Sequence, residues 1–134
     1  MAENKTKHFF LYWLPVIVYC LFIYLQSSRP SPESIPHIPY FDKILHVGGY
    51  ALLGALFLRA FRTRKYENHF KLMILAILLS SLYGVSDEFH QYFVPYRQAD
   101  LLDVFSDILG SVLGVLFYWK IMTGAGPAWV KLLD

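Results

Sequence analysis

The chain has 134 residues, of which 56% are hydrophobic, 18% aromatic and only 16% charged, with a mean hydropathy of +0.40. Soluble domains carry roughly a quarter charged residues, so this chain has too little charge to coat a small globule and belongs in a membrane. The same figures exclude a disordered chain, the single Cys20 excludes a disulfide framework, and a net charge of +2 gives no reason to invoke nucleic acid.

In chain order, the pattern predicts four membrane-spanning helices in a single domain over 1–134, at about 9–26, 42–61, 71–90 and 101–122. Phe9 to Leu25 carries no charge and is interrupted only by Pro15, which is expected to kink the helix. The Lys5 and Lys7 flank resembles that of a signal peptide. The apolar run is too long for one, however, and Gln26-Ser27-Ser28-Arg29 is not a small-residue cleavage site. A retained first helix is expected. The later apolar cores, near Ile44–Leu58 and Leu72–Val85, fall short of the ~20 residues a crossing needs, so polar flanks must be drawn in. Lipid leaves helices as the natural spanning element, because unpaired backbone groups find no partner there.

Between the first two spans, Pro30, Pro32, Pro36 and Pro39 favour stiff, extended backbone lying over the outer ends of the helices. Between the second and third lie Arg59, Arg62, Arg64, Lys65 and Lys71; with Lys5, Lys7, Lys120 and Lys131 they outnumber Arg29, Lys43 and Arg97 on the other side. Both termini and the 59–71 loop are therefore expected in the cytoplasm. The aromatic residues of span one (Phe9, Tyr12, Trp13, Tyr19, Tyr24) read as lipid-facing and interfacial. Tyr118 and Trp119 read as the inner aromatic belt.

The acids lie mostly on the opposite side: Glu33, Asp42, Asp87, Glu88, Asp100, Asp103 and Asp107. Acidic residues contribute little to topology, so another cause is needed. Asp42, His46 and Tyr50 are spaced i, i+4, i+8 and share one helix face, with His46 about 6 Å and Tyr50 about 12 Å inward from Asp42. Gly84, Asp87, Glu88 and Gln91 form a second stripe, with Ser80 and Ser81 a turn deeper. Asp103 and Asp107 form a third, continued by Gly110 and Gly114. Ionisable groups within a span are costly unless paired or wetted. The three stripes predict a polar pocket facing the extracytoplasmic side, ringed by carboxylates and floored by small residues that let helices approach closely.

The set Asp42-Lys43-x-x-His46-x-x-x-Tyr50, Asp87-Glu88-x-x-Gln91, Arg97 and Asp103-x-x-x-Asp107-x-x-Gly110 resembles the VanZ-like family. These small bacterial membrane proteins are named after an accessory teicoplanin-resistance protein. The resemblance runs from about Leu11 to about Phe117 and implies an association with the cell envelope and glycopeptide tolerance. It implies no mechanism.

Asp87, Glu88, His46 and Asp103 are the candidate catalytic residues, as acid/base groups of a membrane hydrolase or transferase. Asp42, Lys43, Tyr50, Gln91, Arg97 and Asp107 are the candidate substrate-binding residues, with Lys43 and Arg97 steadying an anionic head group. The substrate would be amphiphilic or lipid-linked, its tail between helices. Plainer alternatives stand beside each role. His46 could be a packing histidine, Lys43 could snorkel to headgroups, and Tyr50 could be one tyrosine among many. Asp87 and Glu88 could join a helix-end ion network with Arg97 and Lys43, and Asp103 could be a helix cap with Asp100. A divalent metal held by Asp87, Glu88, His46, His90 and Asp103 is the less favoured cofactor reading, since no cysteine and no His-Glu-x-x-His spacing supports it. A non-catalytic binder, or a transporter assembled as an oligomer, completes the alternatives.

Overall fold

The computed structural model describes residues 2–30, 40–63 and 68–125. All regular structure among them is helical. Helix α1 runs as Ala2–His8, a π-helical turn Phe9–Trp13, then Leu14–Ser27. Helix α2 is Phe41–Phe61, α3 is His69–Gln91, and α4 is Leu101–Lys120 with a π-helical extension Ile121–Ala125. The stretches Lys5–Ser27, Phe41–Phe61, His69–Gln91 and Leu101–Gly124 are each long and apolar enough to cross a membrane.

The helices outrun their apolar cores because their polar ends are helical too. Asn68 starts α3 by accepting the Phe70 N–H at 2.9 Å, and Asp100 starts α4 by accepting the Leu102 N–H at 2.9 Å. In α2, Asp42 and Lys43 already lie in the first turn, and α3 continues through Asp87 and Glu88 to Gln91. Pro15 has no N–H to offer the carbonyl four residues back. The chain accommodates this with the π turn, in which the Leu14 N–H reaches the Phe9 carbonyl, while Arg59 Nη1 donates to Leu11 O at 2.9 Å.

Direction alternates along the bundle. Gly110 and Gly114 of α4 lie on the backbone of Val47 and Ala51 of α2, so sequence numbers rise together and these two helices are parallel. A β-carbon at either glycine would fall on that backbone, which is why only glycine fits. Gly54 meets the Ser111 backbone in the same seam, and Gly84 of α3 meets the side chain of Asp107. Helix α3 is antiparallel to both. Helix α1 leans on the edge of the bundle, with only Val16 and Ser27 buried among its described residues.

The bundle therefore has two unlike ends. Lys5 and Lys7 open α1, Arg59 closes α2, Lys71 opens α3 and Lys120 closes α4, all at one end. Beside this basic end, Leu58, Phe61, Leu72, Ala76 and Val115 form an apolar core, flanked by Trp13, Phe57 and Trp119. Across the whole bundle the usual order of a soluble protein is inverted. Leu21, Leu78, Leu82, Leu113 and Phe117 face outward, while Asp87, Glu88, Asp103 and Asp107 are buried. That is the arrangement of a protein solvated by lipid.

The aromatic residues of α1 divide between the two environments. Phe9 and Tyr24 are exposed as expected. Trp13 instead packs edge-on against Phe61 at 5.5 Å, Tyr12 lies under the Arg59 guanidinium, and the Tyr19 hydroxyl donates to Gly49 O at 3.1 Å. A helix on the edge of a bundle needs polar tips to reach it, and these rings supply them. The expected course of the proline-rich connector at 31–39, and the loop bases Arg64 and Lys65, lie outside the described residues.

Candidate functional site

At the acidic end, three helices bring ionisable groups together. Lys43 occupies the first turn of α2, and its Nζ lies 3.0 Å from Asp42 Oδ2, 2.7 Å from Asp100 Oδ2 and 2.5 Å from Asp103 Oδ1. One ammonium thus holds three carboxylates and ties α2 to the start of α4. Asp42 stays exposed at the rim, while Asp103 is buried. Asp100 lies just before the span. The Lys43 ammonium, helped by the Leu102 N–H, holds its carboxyl below the usual carboxylate range.

One turn deeper, His46 Nδ1 sits 2.8 Å from Asp107 Oδ1, and His46 Nε2 lies 4.0 Å from Asp103 Oδ2. The spacing follows from the parallel α2 and α4: Val47 packs on Gly110, which sets His46 beside the residue three positions earlier on α4. Asp107 is wholly buried. A hydrogen bond from His46 Nδ1–H to Asp107 would leave Nε2 with its lone pair, the tautomer a proton acceptor needs. Tyr50 continues the α2 stripe, its ring parallel to that of His46 at 6.3 Å. Its buried hydroxyl neighbours Asp87 but has no partner in hydrogen-bonding geometry.

Asp87 and Glu88 leave α3 in different directions. Asp87 accepts from Gln91 Nε2 at 3.2 Å, one turn along its own helix. Glu88 turns toward α4, where its Oε2 accepts the Asp100 backbone N–H at 3.1 Å. Its other oxygen, Oε1, is buried without a partner, as is Asp107 Oδ2. His46, Glu88 and Asp107 each offer a ligand atom, all within 4.8 Å of one another. Beneath them Ser111 Oγ lies 2.8 Å from Ser80 Oγ and donates to Asp107 O at 2.7 Å. Beside them a groove of about 390 Å³ opens between α3 and α4, lined by Glu88, Asp100 and the apolar Phe89, Tyr92, Leu101 and Val104.

The residues singled out in the sequence are thus not all in one place. Asp42, Lys43, His46, Glu88, Asp103 and Asp107 meet directly, with Tyr50, Asp87 and Gln91 against them. Arg97 does not join. Its Nε donates to Arg29 O and its Nη2 to Gln26 O, both at 3.1 Å, so it straps the end of α1 to the loop after α3. A turn closed by Arg97 N–H to Val94 O aims it there, with Pro95 presetting the first corner and Tyr96 at φ 63° taking the second. His90 also turns away, its Nε2 lying 2.9 Å from Ser28 Oγ. The sequence reading missed Ser111, although it stands one turn after Asp107 on the Gly110–Gly114 face, which is the signal that could have found it.

Four apolar helices around an ionisable interior define a multi-pass helical membrane protein. The VanZ/LLP1 family model matches residues 4–123, nearly the whole chain, and the chain belongs to that family. No curated protein and no solved structure gives a significant match.

Proposed function

We propose that this protein engages the polar head of a lipid or lipid-linked cell-envelope molecule at its acidic end, which faces the outside of the bacterial cytoplasmic membrane. The link to glycopeptide, and specifically teicoplanin, resistance follows from the family name. The observation that carries the reading is the pair of buried carboxylate oxygens, Glu88 Oε1 and Asp107 Oδ2, left without partners between separate helices. Leaving a buried acceptor unmatched costs about 1–3 kcal/mol, more when it is charged, a cost that a bound polar head would relieve at both. The adjoining groove, apolar apart from Glu88 and Asp100, suits an acyl tail approaching from the bilayer. The basic residues gathered at the opposite end support the orientation.

A reaction on that head is the second reading, favoured by one arrangement. His46 backed by Asp107 has an oriented imidazole whose Nε2 faces the cluster, as a general base would.

The wild-type chain should protect cells against teicoplanin, and Glu88→Gln or Asp107→Asn at wild-type membrane levels should abolish that protection. Full protection in both variants would reduce the cluster to a packing feature. Orientation is read separately, in a Cys20→Ala background: Gln98→Cys should react with an impermeant thiol reagent in intact cells, and Asn68→Cys should not.

A further inference from the structure

We infer that His46, Glu88 and Asp107 form a binding site for one divalent transition-metal cation, of the zinc or manganese kind. Glu88 is 4% exposed and Asp107 0%, and each keeps one oxygen with no hydrogen-bond partner. Among the described residues no lysine or arginine reaches either carboxylate. Lys43 is already shared by Asp42, Asp100 and Asp103, and Arg97 is spent on main-chain carbonyls. With both carboxylates ionised, the interior of the acidic end would carry more formal negative than positive charge, in a setting where unpaired charge is strongly disfavoured. A doubly charged cation between two carboxylates makes a neutral unit.

The donor set also selects the ion. Calcium takes six to eight oxygen ligands and magnesium keeps several waters in a strict octahedron, whereas one imidazole with two carboxylates suits zinc or manganese. Donor atoms around one tetrahedral ion stand about 3.4 Å apart, and these three lie within 4.8 Å of one another, so binding would draw them together by roughly 1 Å. Three protein ligands leave further positions open, on the flank where Glu88 lines the groove.

The site also removes a difficulty in the proposed function, on which the choice of this cluster rests. An end lined with carboxylates repels the phosphate-bearing head of an envelope lipid, and neither Lys43 nor Arg97 is free to draw it in. A bound cation supplies the missing positive charge.

The test uses the full-length protein in detergent micelles, stripped with a chelator and titrated with Zn²⁺ and Mn²⁺ against a competing fluorescent indicator. One equivalent per chain is expected, weakened at least tenfold by Glu88→Gln and by Asp107→Asn but not by His90→Gln, with helical circular dichroism retained. Pulsed electron paramagnetic resonance of the Mn²⁺-loaded wild type should show one coordinated imidazole nitrogen, a readout that needs no variant to fold. In His46→Gln that signal should vanish. No stoichiometric binding, binding indifferent to Glu88 and Asp107, tighter Ca²⁺ or Mg²⁺ binding, or no nitrogen signal would each overturn the assignment. Because the readout is cation binding alone, a protein that binds none while its Glu88→Gln variant loses teicoplanin protection sinks this inference and leaves the proposed function standing.

Discussion

At the basic end of the bundle, Leu58, Phe61, Leu72, Ala76 and Val115 pack side chain to side chain; at the acidic end the same helices meet through His46, Glu88, Asp103 and Asp107. Between them lies the seam of Gly54, Gly110 and Gly114, which brings α2 and α4 into backbone contact. Lipid is as apolar as leucine, so the basic end gains mainly dispersion from tight packing. Moving ionisable groups into a span costs several kcal/mol unless they are matched. The same helices thus carry an ionisable end beside the apolar end and the glycine seam. The proposed function accounts for this difference: one end packs, and the other carries ionisable groups at a cost.

The largest expected effect breaks the part common to both ends. Gly114→Val would drive a side chain into the Ala51 backbone, and little or no monodisperse helical protein should be recovered. Gly48→Ala has open space at its β-carbon, and its yield and melting temperature should match wild type. Next is a double-mutant cycle across the acidic end. His46→Ala strands the wholly buried Asp107 and should destabilise by about 3–5 kcal/mol, the usual result of removing one member of a buried pair. Adding Asp107→Asn to it should restore most of that loss in the same unfolding assay. At the basic end, Leu58→Ala should cost less than the ~2–5 kcal/mol typical of soluble cores, because the transfer contribution is small in lipid.

The smallest effect concerns the rim. Asp100 has a lower pKa folded than unfolded because Lys43 stays beside it, so the unfolded state binds its proton first as the pH falls. Its contribution is complete above the ordinary carboxylate range and disappears as the pH drops through the lowered value. Asp100→Asn keeps the helix cap but removes the charge. Wild type should lose more melting temperature than Asp100→Asn between neutral pH and about pH 3; parallel curves would show that the ion pair is inert.

Much of this contrast was legible in the residues. Periods of three to four placed Asp42, His46 and Tyr50 on one face and Asp103, Asp107 and Gly110 on another, and small residues at Gly110 and Gly114 marked where backbones touch. The extent of α2 and α3 was legible too, since hydrocarbon thickness demands more residues than their apolar cores supply. What stayed hidden depends on rotation about helix axes and on main-chain acceptors. Nothing in the types of Asp87 and Glu88 says that one turns to Gln91 and the other to the Asp100 N–H. Arg97 could not be paired with Gln26 O and Arg29 O, because every residue has a carbonyl. The inward turn of Tyr12, Trp13 and Tyr19 was likewise invisible until α1 was set against its neighbours.

The claim that the acidic end is retained for what it holds, and not for folding, is tested most directly by one paired measurement on Glu88→Gln/Asp107→Asn. Removing both buried charges while keeping their shapes, and an oxygen at position 107 to accept from His46, should leave unfolding stability in micelles close to wild type, while teicoplanin protection at matched membrane levels is lost. A fall in stability of more than about 2 kcal/mol with protection intact would contradict it, and would make these carboxylates the cement of the bundle.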